Sequence, residues 1–300
     1  MSGSPPLRRV LVTGAGGNLG TKLIAHLLES EWCERVIGVD RSFAGGLPAR
    51  EGRLERVEAD LADPRDPRWR EALARADALV HLAAQNPAPS APWTDAAASF
   101  DQTANLVGAA GAAGVRRLVF ASSNHVMGQY KDPPLADRVA PGTLSTDLPP
   151  GPGTSRREGG RVVRDEAYAV SKLMGERLCV SAAGLSGGAL AAVAVRIGWC
   201  QAGANRPETI NASGVSAEDN PEAGDPLHAR DLRWFRNMWL SNHDFVHLME
   251  RALLADAARW PAAGIVVNGM SANAGMAWDI AATGALLGYA PQDDLWRHVR

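Results

Sequence analysis

Short runs of β-branched and leucine residues alternate along the chain with longer segments that have apolar residues at helical spacing. This alternation is typical of repeated strand–helix–strand units and a parallel sheet. Runs such as Val10-Leu11-Val12 are apolar at consecutive positions, so we expect helices on both faces of that sheet. The pattern before residue 125 predicts strands at 9–13, 36–40, 54–59, 78–82 and 118–122 and, most clearly, helices at 19–30 and 96–114.

Two polar stretches interrupt this pattern after the fifth predicted strand. Residues 131–163 and 201–225 are rich in proline, glycine and charged side chains, which predicts surface excursions rather than core. Long excursions of this kind are typical of loops that cover a substrate. Elsewhere the pattern predicts helices at 168–183, 244–255 and 278–287, and strands at 190–197 and 265–268.

Composition narrows the classes of partner. The 300 residues have a formal net charge of −2 and no block of basic residues, so we expect no nucleic-acid partner. No apolar stretch is long enough for a membrane span, and the N-terminal residues lack the apolar region of a signal peptide. His243 and His247 are one helical turn apart without an evident third ligand, so we expect no metal. With three widely spaced cysteines, the sequence favours a cytoplasmic protein.

A glycine-rich turn connects the first predicted strand to the first predicted helix. Gly14, Gly17 and Gly20 follow one another at three-residue spacing, and Asn18 and Leu19 lie where the helix begins. Small residues allow the backbone to approach a pyrophosphate, and the helix N-terminus supplies unpaired N–H groups. Glycine turns also occur in ordinary strand–helix connections, so this turn alone is weak evidence for a dinucleotide site.

Residues that end the next three strands strengthen the prediction of a dinucleotide site. Asp40 ends the second strand, where a carboxylate accepts hydrogen bonds from a ribose and repels a 2′-phosphate. NAD is therefore favoured over NADP, although the neighbouring Arg41 could accommodate that phosphate. Asp60 is equally well explained as a cap or turn residue. The other candidate cofactor contacts are Leu61, after the third strand, and Leu82, Ala83 and Ala84, after the fourth.

Tyr168 and Lys172 are candidates for proton transfer. Their four-residue spacing in a predicted helix places both side chains on one face. A neighbouring ammonium favours the phenolate, which can then accept a proton from a substrate hydroxyl. Lys172 could also bind the nicotinamide ribose, which makes both residues candidate cofactor contacts. Ser122 and Ser123 end the fifth strand, where a hydroxyl can orient the reacting oxygen or simply cap a turn.

These residues occur in an order that resembles the extended short-chain dehydrogenase family, which includes the NAD-dependent epimerases and dehydratases. The segments that carry the resemblance are FASSNHVMGQY at 120–130, YAVSKLMGERL at 168–178, VRIGWC at 195–200, WLSNHDFVHLMERAL at 239–253 and NGMSANAGMAWD at 268–279. In that family the substrate-polarising serine lies five residues before a glycine. The resemblance therefore implies that Ser123, before Gly128, is catalytic together with Tyr168 and Lys172.

Within the family, the same segments are similar to uronate dehydrogenases. That similarity implies oxidation of the anomeric carbon of galacturonate or glucuronate to an aldarolactone with NAD, and contacts from Asn124 and His125 to substrate. The chain departs from the pattern at Trp199, where uronate dehydrogenases have a small serine. An arginine from the following loop holds the carboxylate in those enzymes; this loop is expanded here, and the candidates are Arg206, Arg230, Arg233 and Arg236, of which we favour Arg233 or Arg236.

The sequence as a whole predicts an α/β protein with a Rossmann-type doubly wound parallel sheet and a small C-terminal substrate-covering lobe. Residues 1–7 are expected to form a flexible tail and residues 8–300 a single NAD-binding domain, with lobe segments at about 131–163 and 199–300. The family resemblance also implies a homo-oligomer. Two alternative functions remain: a nucleotide-sugar epimerase or dehydratase, which would release no NADH, and an inactive NAD-binding sensor.

Overall fold

A seven-stranded parallel sheet forms the centre of the protein. The computed structural model describes residues 6–44, 46–47, 52–85, 88, 90–158, 161–212 and 227–299. The strands of the sheet are β1 (Arg9–Thr13), β2 (Arg35–Asp40), β3 (Leu54–Glu58), β4 (Ala78–His81), β5 (Arg117–Ser123), β8 (Ala191–Ile197) and β9 (Gly264–Gly269). Their spatial order is β3-β2-β1-β4-β5-β8-β9, so the chain changes direction across the sheet between β1 and β4. Ligands of open α/β sheets bind at the carboxyl ends of the strands beside such a point.

Helices cover both faces of this sheet. They are α1 (Asn18–Glu29), α2 (Pro67–Ala74), α3 (Trp93–Ala110), α4 (Glu166–Leu185), α5 (His228–Asn237), α6 (Asn242–Leu254) and α7 (Ala281–Leu287). On β1, Val10 and Val12 pack in one core cluster with α1 and α6, whereas Leu11 packs in a second cluster with α2, α3 and α4. This two-sided burial explains the consecutive apolar residues of the strand. The predicted α/β class with a doubly wound parallel sheet is confirmed.

The structure contains several elements that the hydrophobic pattern did not reveal. Strands β6 (Thr154–Glu158) and β7 (Arg161–Asp165) form an antiparallel pair inside the stretch predicted as an irregular excursion. Helix α2 is short, although Asp66 caps it and Pro67 occupies its first turn, which is a start signal visible in the sequence. Helix α5 begins directly after the undescribed residues 213–226. These elements are short or polar, so periodicity alone did not distinguish them from loops.

A third hydrophobic cluster joins α5, the C-terminal residues and the 3₁₀ segment Asn124–Lys131 that follows β5. Trp234 of α5 and Trp278 pack with ring centroids 4.5 Å apart. Lys131 Nζ donates to Asp231 Oδ1 over 2.8 Å, and both side chains are buried. This cluster therefore holds α5 beside the carboxyl end of β5. Among the described residues, no helix has the length and apolarity that a membrane crossing requires.

Candidate active site

The glycine-rich turn lies at one end of a cavity of about 570 Å³ at the carboxyl ends of the central strands. Gly14 has φ +66°, and a Cβ there would lie 2.8 Å from the backbone nitrogen of Ala83. A Cβ on Gly20 would overlap the carbonyl oxygen of Gly14. Gly17 precedes α1 without a side-chain cap, so the first N–H groups of the helix have no capping side chain. This turn fits a pyrophosphate, because glycine backbone and the start of α1 line this end of the cavity.

Asp40 lies at the same end of the cavity. Its Oδ2 accepts a hydrogen bond from Gly16 N over 2.9 Å, and its Oδ1 accepts from Arg41 N over 2.7 Å. Asp40 and Arg41 both line the cavity, together with Ser42. The carboxylate is thus held by backbone donors at the position where a ribose would lie if the pyrophosphate occupied the glycine turn.

The loops after β3 and β4 continue the cavity wall. Leu61, Leu82, Ala83 and Ala84 line it, as do Asn18 and Leu19 on α1. Asp60 does not. Its Oδ1 accepts from Ala62 N over 3.0 Å, which is the turn contact that the sequence left as the alternative.

The two serines that end β5 point to opposite sides of the strand. Ser122 Oγ donates to Glu176 Oε1 over 2.5 Å, and Glu176 also accepts two hydrogen bonds from the guanidinium of Arg196. All three of these side chains are buried. Ser123 instead lines the cavity. Because successive side chains of a strand alternate between faces, a hydroxyl at 122 stabilises the core and a hydroxyl at 123 faces the site.

Tyr168 lies on the cavity wall within hydrogen-bonding reach of Ser123. Burial raises the pKa of the Tyr168 phenol, and the hydrogen bond with Ser123 lowers it by less. Lys172 lies behind the wall, with Nζ 5.8 Å from the centroid of the Tyr168 ring. Its ammonium donates to the carbonyl oxygen of Ala121 over 2.8 Å, and burial lowers the pKa of Lys172 to about 8. At neutral pH this lysine is mostly protonated.

Asn124 and His125 also line the cavity. Asn124 Nδ2 donates to the carbonyl oxygen of Ile197 over 3.0 Å, while its Oδ1 is buried without a hydrogen-bond partner among the described residues. The ring of His125 contacts the edge of the Tyr168 ring at a centroid distance of 6.0 Å. Burial lowers the pKa of His125 to about 4, so the imidazole is neutral at pH 7. An unpartnered acceptor and a neutral imidazole thus adjoin the tyrosine.

The arginines proposed for a carboxylate lie elsewhere. The guanidinium groups of Arg233 and Arg236 each lie 5.9 Å from the ring of Trp296, and neither residue lines the cavity. Arg230 pairs with Asp132 and Asp231. In the described part of the chain, the only Arg or Lys residue on the cavity wall is Arg41, at the glycine-turn end.

The structure adds lining residues that the sequence analysis did not select as contacts. They include residues from the turn after β8, from α5 and the residue that follows it, and from α3: Trp199, Cys200, Phe235, Met238 and Gln102. Trp199 N donates to the carbonyl oxygen of Met238 over 2.7 Å, which joins two of these segments. Trp199 was visible in the sequence as a departure from a family pattern. No sequence signal marked Phe235 or Met238, because long-range packing brings them to the cavity.

The two histidines of α6, His243 and His247, do not line this cavity. His243 lies near Asp244 and Asp293, with one possible ligand atom from each within 4.8 Å of the others. However, the Asp244 carboxylate already accepts hydrogen bonds from Ser271 Oγ and from the backbone nitrogens of Gln292 and Asp293. These contacts attach the C-terminal segment to α6, which explains the buried carboxylate without a ligand.

Comparison with known proteins agrees with this geometry. A model of the NAD dependent epimerase/dehydratase family matches residues 10–200. The L-arabinose 1-dehydrogenase (NAD(P)(+)) of Haloferax volcanii is 32% identical over 296 residues, which cover 96% of this chain and 98% of that protein. The uronate dehydrogenase of Agrobacterium fabrum is 30% identical over 291 residues, which cover 96% of this chain and 86% of that protein.

Solved structures give the same result. The structure of a mutated uronate dehydrogenase superposes with a TM-score of 0.65 and 31% identity, covering 97% of this chain and 84% of that one. The structure of MoeE5 in complex with UDP-glucuronic acid and NAD has a TM-score of 0.60 and 25% identity, covering 94% of this chain and 83% of that one. The similarity thus extends well beyond the glycine turn.

Proposed function

Because this chain belongs to the NAD dependent epimerase/dehydratase family, we propose that it oxidises a hydroxyl group of a sugar by hydride transfer to NAD. The predicted family, the NAD-dependent oxidoreductase class and the NAD cofactor are confirmed. The observation that carries the proposal is the placement of Ser123 and Tyr168 in the same cavity as the glycine turn and Asp40. A hydride donor and a hydride acceptor can therefore occupy one continuous space.

In this proposal Tyr168 accepts the proton of the substrate hydroxyl. NAD, when bound, supplies the hydride acceptor and a positive charge. Tyr168 is a phenol at neutral pH, and burial raises its pKa further, so it must be deprotonated before it can act. Lys172 favours that deprotonation with its nearby ammonium, and Ser123 holds the reacting oxygen against Tyr168. The carbinol carbon loses a hydride and its oxygen loses a proton, leaving a carbonyl group.

We further propose that the substrate is an uncharged aldose oxidised at its anomeric carbon to a lactone, rather than the uronate implied by the resemblance. A buried carboxylate needs a cation or several donors, and Arg41 at the far end is the only described cation on the wall. The residues at 213–226, which lie outside the described chain, contain no Lys or Arg but include Glu218, Asp219, Glu222 and Asp225. The unpartnered Oδ1 of Asn124 would accept a hydroxyl proton but repel a carboxylate.

Two relatives of similar identity are named for different substrates, one neutral and one acidic. The choice between these substrate classes for this chain therefore depends on the side chains of its own cavity. The Haloferax volcanii relative is an L-arabinose dehydrogenase, and the Agrobacterium fabrum relative is a uronate dehydrogenase. Trp199 and Phe235 line the same cavity as Tyr168 and give its wall apolar surface. Such surface suits the carbon face of a small neutral sugar.

The test is NADH formation from NAD by the purified protein with a panel of sugars. We expect turnover with neutral aldoses such as L-arabinose, and kcat/KM at least about tenfold lower with galacturonate and glucuronate, a difference of about 1.4 kcal/mol. The reverse preference would contradict the neutral-substrate proposal but keep the dehydrogenase. Conversion of a UDP-sugar without NADH release would identify the epimerase or dehydratase, and tight NAD binding without any turnover would identify the sensor.

A matched variant tests the base. Tyr168→Phe keeps the ring but removes the hydroxyl, so kcat should fall by roughly 100- to 10,000-fold. Titration calorimetry should show NAD binding within about threefold of the parent protein, since the glycine turn and Asp40 at the other end of the cavity are unchanged. Turnover that survives in Tyr168→Phe would remove Tyr168 from the role of base.

Four further expectations from the sequence remain predictions. They are the covering role of segments 131–163 and 199–300, the flexible tail at 1–7, the cytoplasmic location and the homo-oligomeric state. Residues 1–5 lie outside the described chain. The third hydrophobic cluster, which places α5 at the cavity, supports a covering role for part of the second segment.

A further inference from the structure

The antiparallel pair β6–β7 supplies a polar contact to the cavity. Thr154, the first residue of β6, is 2% exposed, and its Oγ1 lies 2.7 Å from Nδ1 of His125. Gly153 N donates to the carbonyl oxygen of His125 over 3.0 Å, which fixes the start of β6 against the 3₁₀ segment. Gly128 allows this approach, because a Cβ there would overlap Thr154 Oγ1. These contacts hold the Thr154 hydroxyl within hydrogen-bonding distance of Nδ1 of His125.

This contact determines which nitrogen of His125 carries the proton. The imidazole is neutral at pH 7 because burial lowers its pKa, so only one ring nitrogen holds a hydrogen. In the described chain Thr154 Oγ1 has no hydrogen-bond partner besides His125. If Nδ1 donated to Oγ1, the buried hydroxyl hydrogen would have no acceptor, which costs about 1–3 kcal/mol. The favoured arrangement therefore has Thr154 donating to Nδ1 and the ring proton on Nε2.

We propose that Thr154 is a positioning residue that fixes His125 in the Nε2–H tautomer, so that His125 presents a hydrogen-bond donor to the sugar. This proposal rests on the proposed function for the identity of the ligand. Nε2 has no hydrogen-bond partner among the described residues, and His125 lines the cavity beside Tyr168. Asn124 presents an acceptor instead of a donor. Its Nδ2 donates to the carbonyl oxygen of Ile197, which leaves Oδ1 as the atom that can accept a hydrogen bond.

The two neighbouring side chains thus form a donor–acceptor pair of fixed polarity. His125 donates and Asn124 accepts, and neither role can be exchanged without breaking a hydrogen bond to Thr154 or Ile197. A sugar hydroxyl next to a ring or hydroxyl oxygen offers both complementary groups. A carboxylate offers only acceptors, and so would leave Asn124 Oδ1 unsatisfied. The pair therefore favours a hydroxyl-bearing part of the ligand, rather than a carboxylate, at this position.

The test measures the tautomer directly by long-range ¹H–¹⁵N NMR of the histidine rings in the full-length protein. The signals of His125 are assigned by their absence from the spectrum of His125→Asn. We expect Nε2–H in the parent protein and in Thr154→Ser, which keeps the hydroxyl. Thr154→Val keeps the shape but not the hydroxyl, so Nδ1–H should become populated. With NAD saturating, KM for the aldose should rise about tenfold, the size of one neutral hydrogen bond, with kcat changed less.

Ser155→Ala is the matched control. Ser155 lies on the same strand, but its hydroxyl donates to Asp132 and not to His125. We expect its His125 tautomer and its KM to match the parent protein. An Nδ1–H tautomer in the parent protein, or an equal change in Ser155→Ala, would overturn the proposal. The tautomer is measured without turnover, so it decides this proposal even if the protein oxidises no sugar, a result that would count only against the proposed function.

Discussion

The two ends of the cavity are built in different ways. The glycine-turn end is made from loops that follow β1, β2, β3 and β4, and most of its contacts are backbone atoms or one carboxylate. The end near Tyr168 is assembled from segments far apart in the chain, including residues 123–125, 168, 197–200, 235 and 238. Local conformation therefore specifies the first end, and tertiary packing specifies the second.

A few side chains connect the two ends. Asn18 Nδ2, at the start of α1, donates to the carbonyl oxygen of Cys200 over 3.0 Å. Lys22, one turn later, donates to the carbonyl oxygen of Gln201 over 2.7 Å. The helix that begins at the cofactor turn therefore also positions the segment after β8, which carries Trp199. Variants at either end show how independent the two ends are.

The largest effect on NAD binding should come from Gly20→Ala at the glycine-turn end. The added methyl group would overlap the carbonyl oxygen of Gly14, so α1 must shift relative to the turn. Overpacking of this kind costs about 1–3 kcal/mol, and we expect NAD to bind roughly 10- to 100-fold more weakly in titration calorimetry. Because α1 holds the segment after β8, KM for the sugar should also rise.

Gly108→Ala is the control for that variant. Gly108 lies within α3, and a Cβ there meets no other atom within 4 Å. This change should leave NAD binding unaltered and raise the free energy of unfolding by about 0.5–1 kcal/mol through helix propensity. If Gly20→Ala bound NAD as tightly as Gly108→Ala, close packing at the turn would not be required for the cofactor.

A smaller effect is expected from Asp40→Asn, which keeps the side-chain shape. The loss of the charge and of one acceptor should weaken NAD binding about tenfold and reduce the preference for NAD over NADP. Asp60→Asn provides the comparison, since Asp60 stabilises a turn outside the cavity and should bind NAD like the parent protein. A larger loss of NAD affinity in Asp60→Asn than in Asp40→Asn would mean that Asp60, and not Asp40, contacts the cofactor. Sugar KM, measured at saturating NAD, should change in neither variant.

The buried His81 and the partly buried His125 should make the free energy of unfolding depend on pH. His81 bonds Thr13 and Thr103, and burial lowers the pKa of His81 to about 3, while that of His125 is about 4. The unfolded chain binds protons as the pH falls through 6.5, whereas the folded protein does not. The stability present above pH 6.5 is therefore lost as the pH falls toward the folded-state pKa, by about 1.4 kcal/mol per pH unit for a fully buried histidine.

Urea unfolding between pH 7 and pH 4 measures this loss. His81→Asn should reduce the slope of the free energy of unfolding against pH by about one proton. His125→Asn should reduce it too, but only down to about pH 4, where the folded protein also binds the proton. An unchanged slope in His81→Asn would mean that His81 is protonated in the folded protein.

Much of the cofactor end followed from the sequence alone. Strands β1 to β5 were predicted within one or two residues of their bounds, because a sheet covered on both faces requires consecutive apolar residues. The glycine turn and Asp40 were identified because they follow those strands directly. For Asp60 the sequence allows either a cofactor contact or a turn role, and only the structure shows that its side chain stabilises a turn.

Less of the substrate end followed from the sequence. Ser123 was distinguished from Ser122 by a family pattern, and the structure adds the physical reason, which is the buried contact of Ser122 with Glu176 and Arg196. The arginines Arg233 and Arg236 were chosen for their chemistry and their place after the loop. Packing against Trp296 places both outside the cavity, which no local pattern could indicate.

The sequence by itself determined the α/β class, the positions of the first five strands along the chain, the cofactor turn and the family, because each depends on short-range patterns of apolar residues, glycines and a few charged groups. Only the tertiary structure decided which polar atoms remain free in the cavity. Within the described residues, Asn124 Oδ1 and His125 Nε2 have no hydrogen-bond partner, while Ile197 and Thr154, from distant segments, bind the other polar atom of each side chain. Hydrogen-bond partners that are far apart in the chain meet only when the parallel sheet and the antiparallel pair β6–β7 have folded.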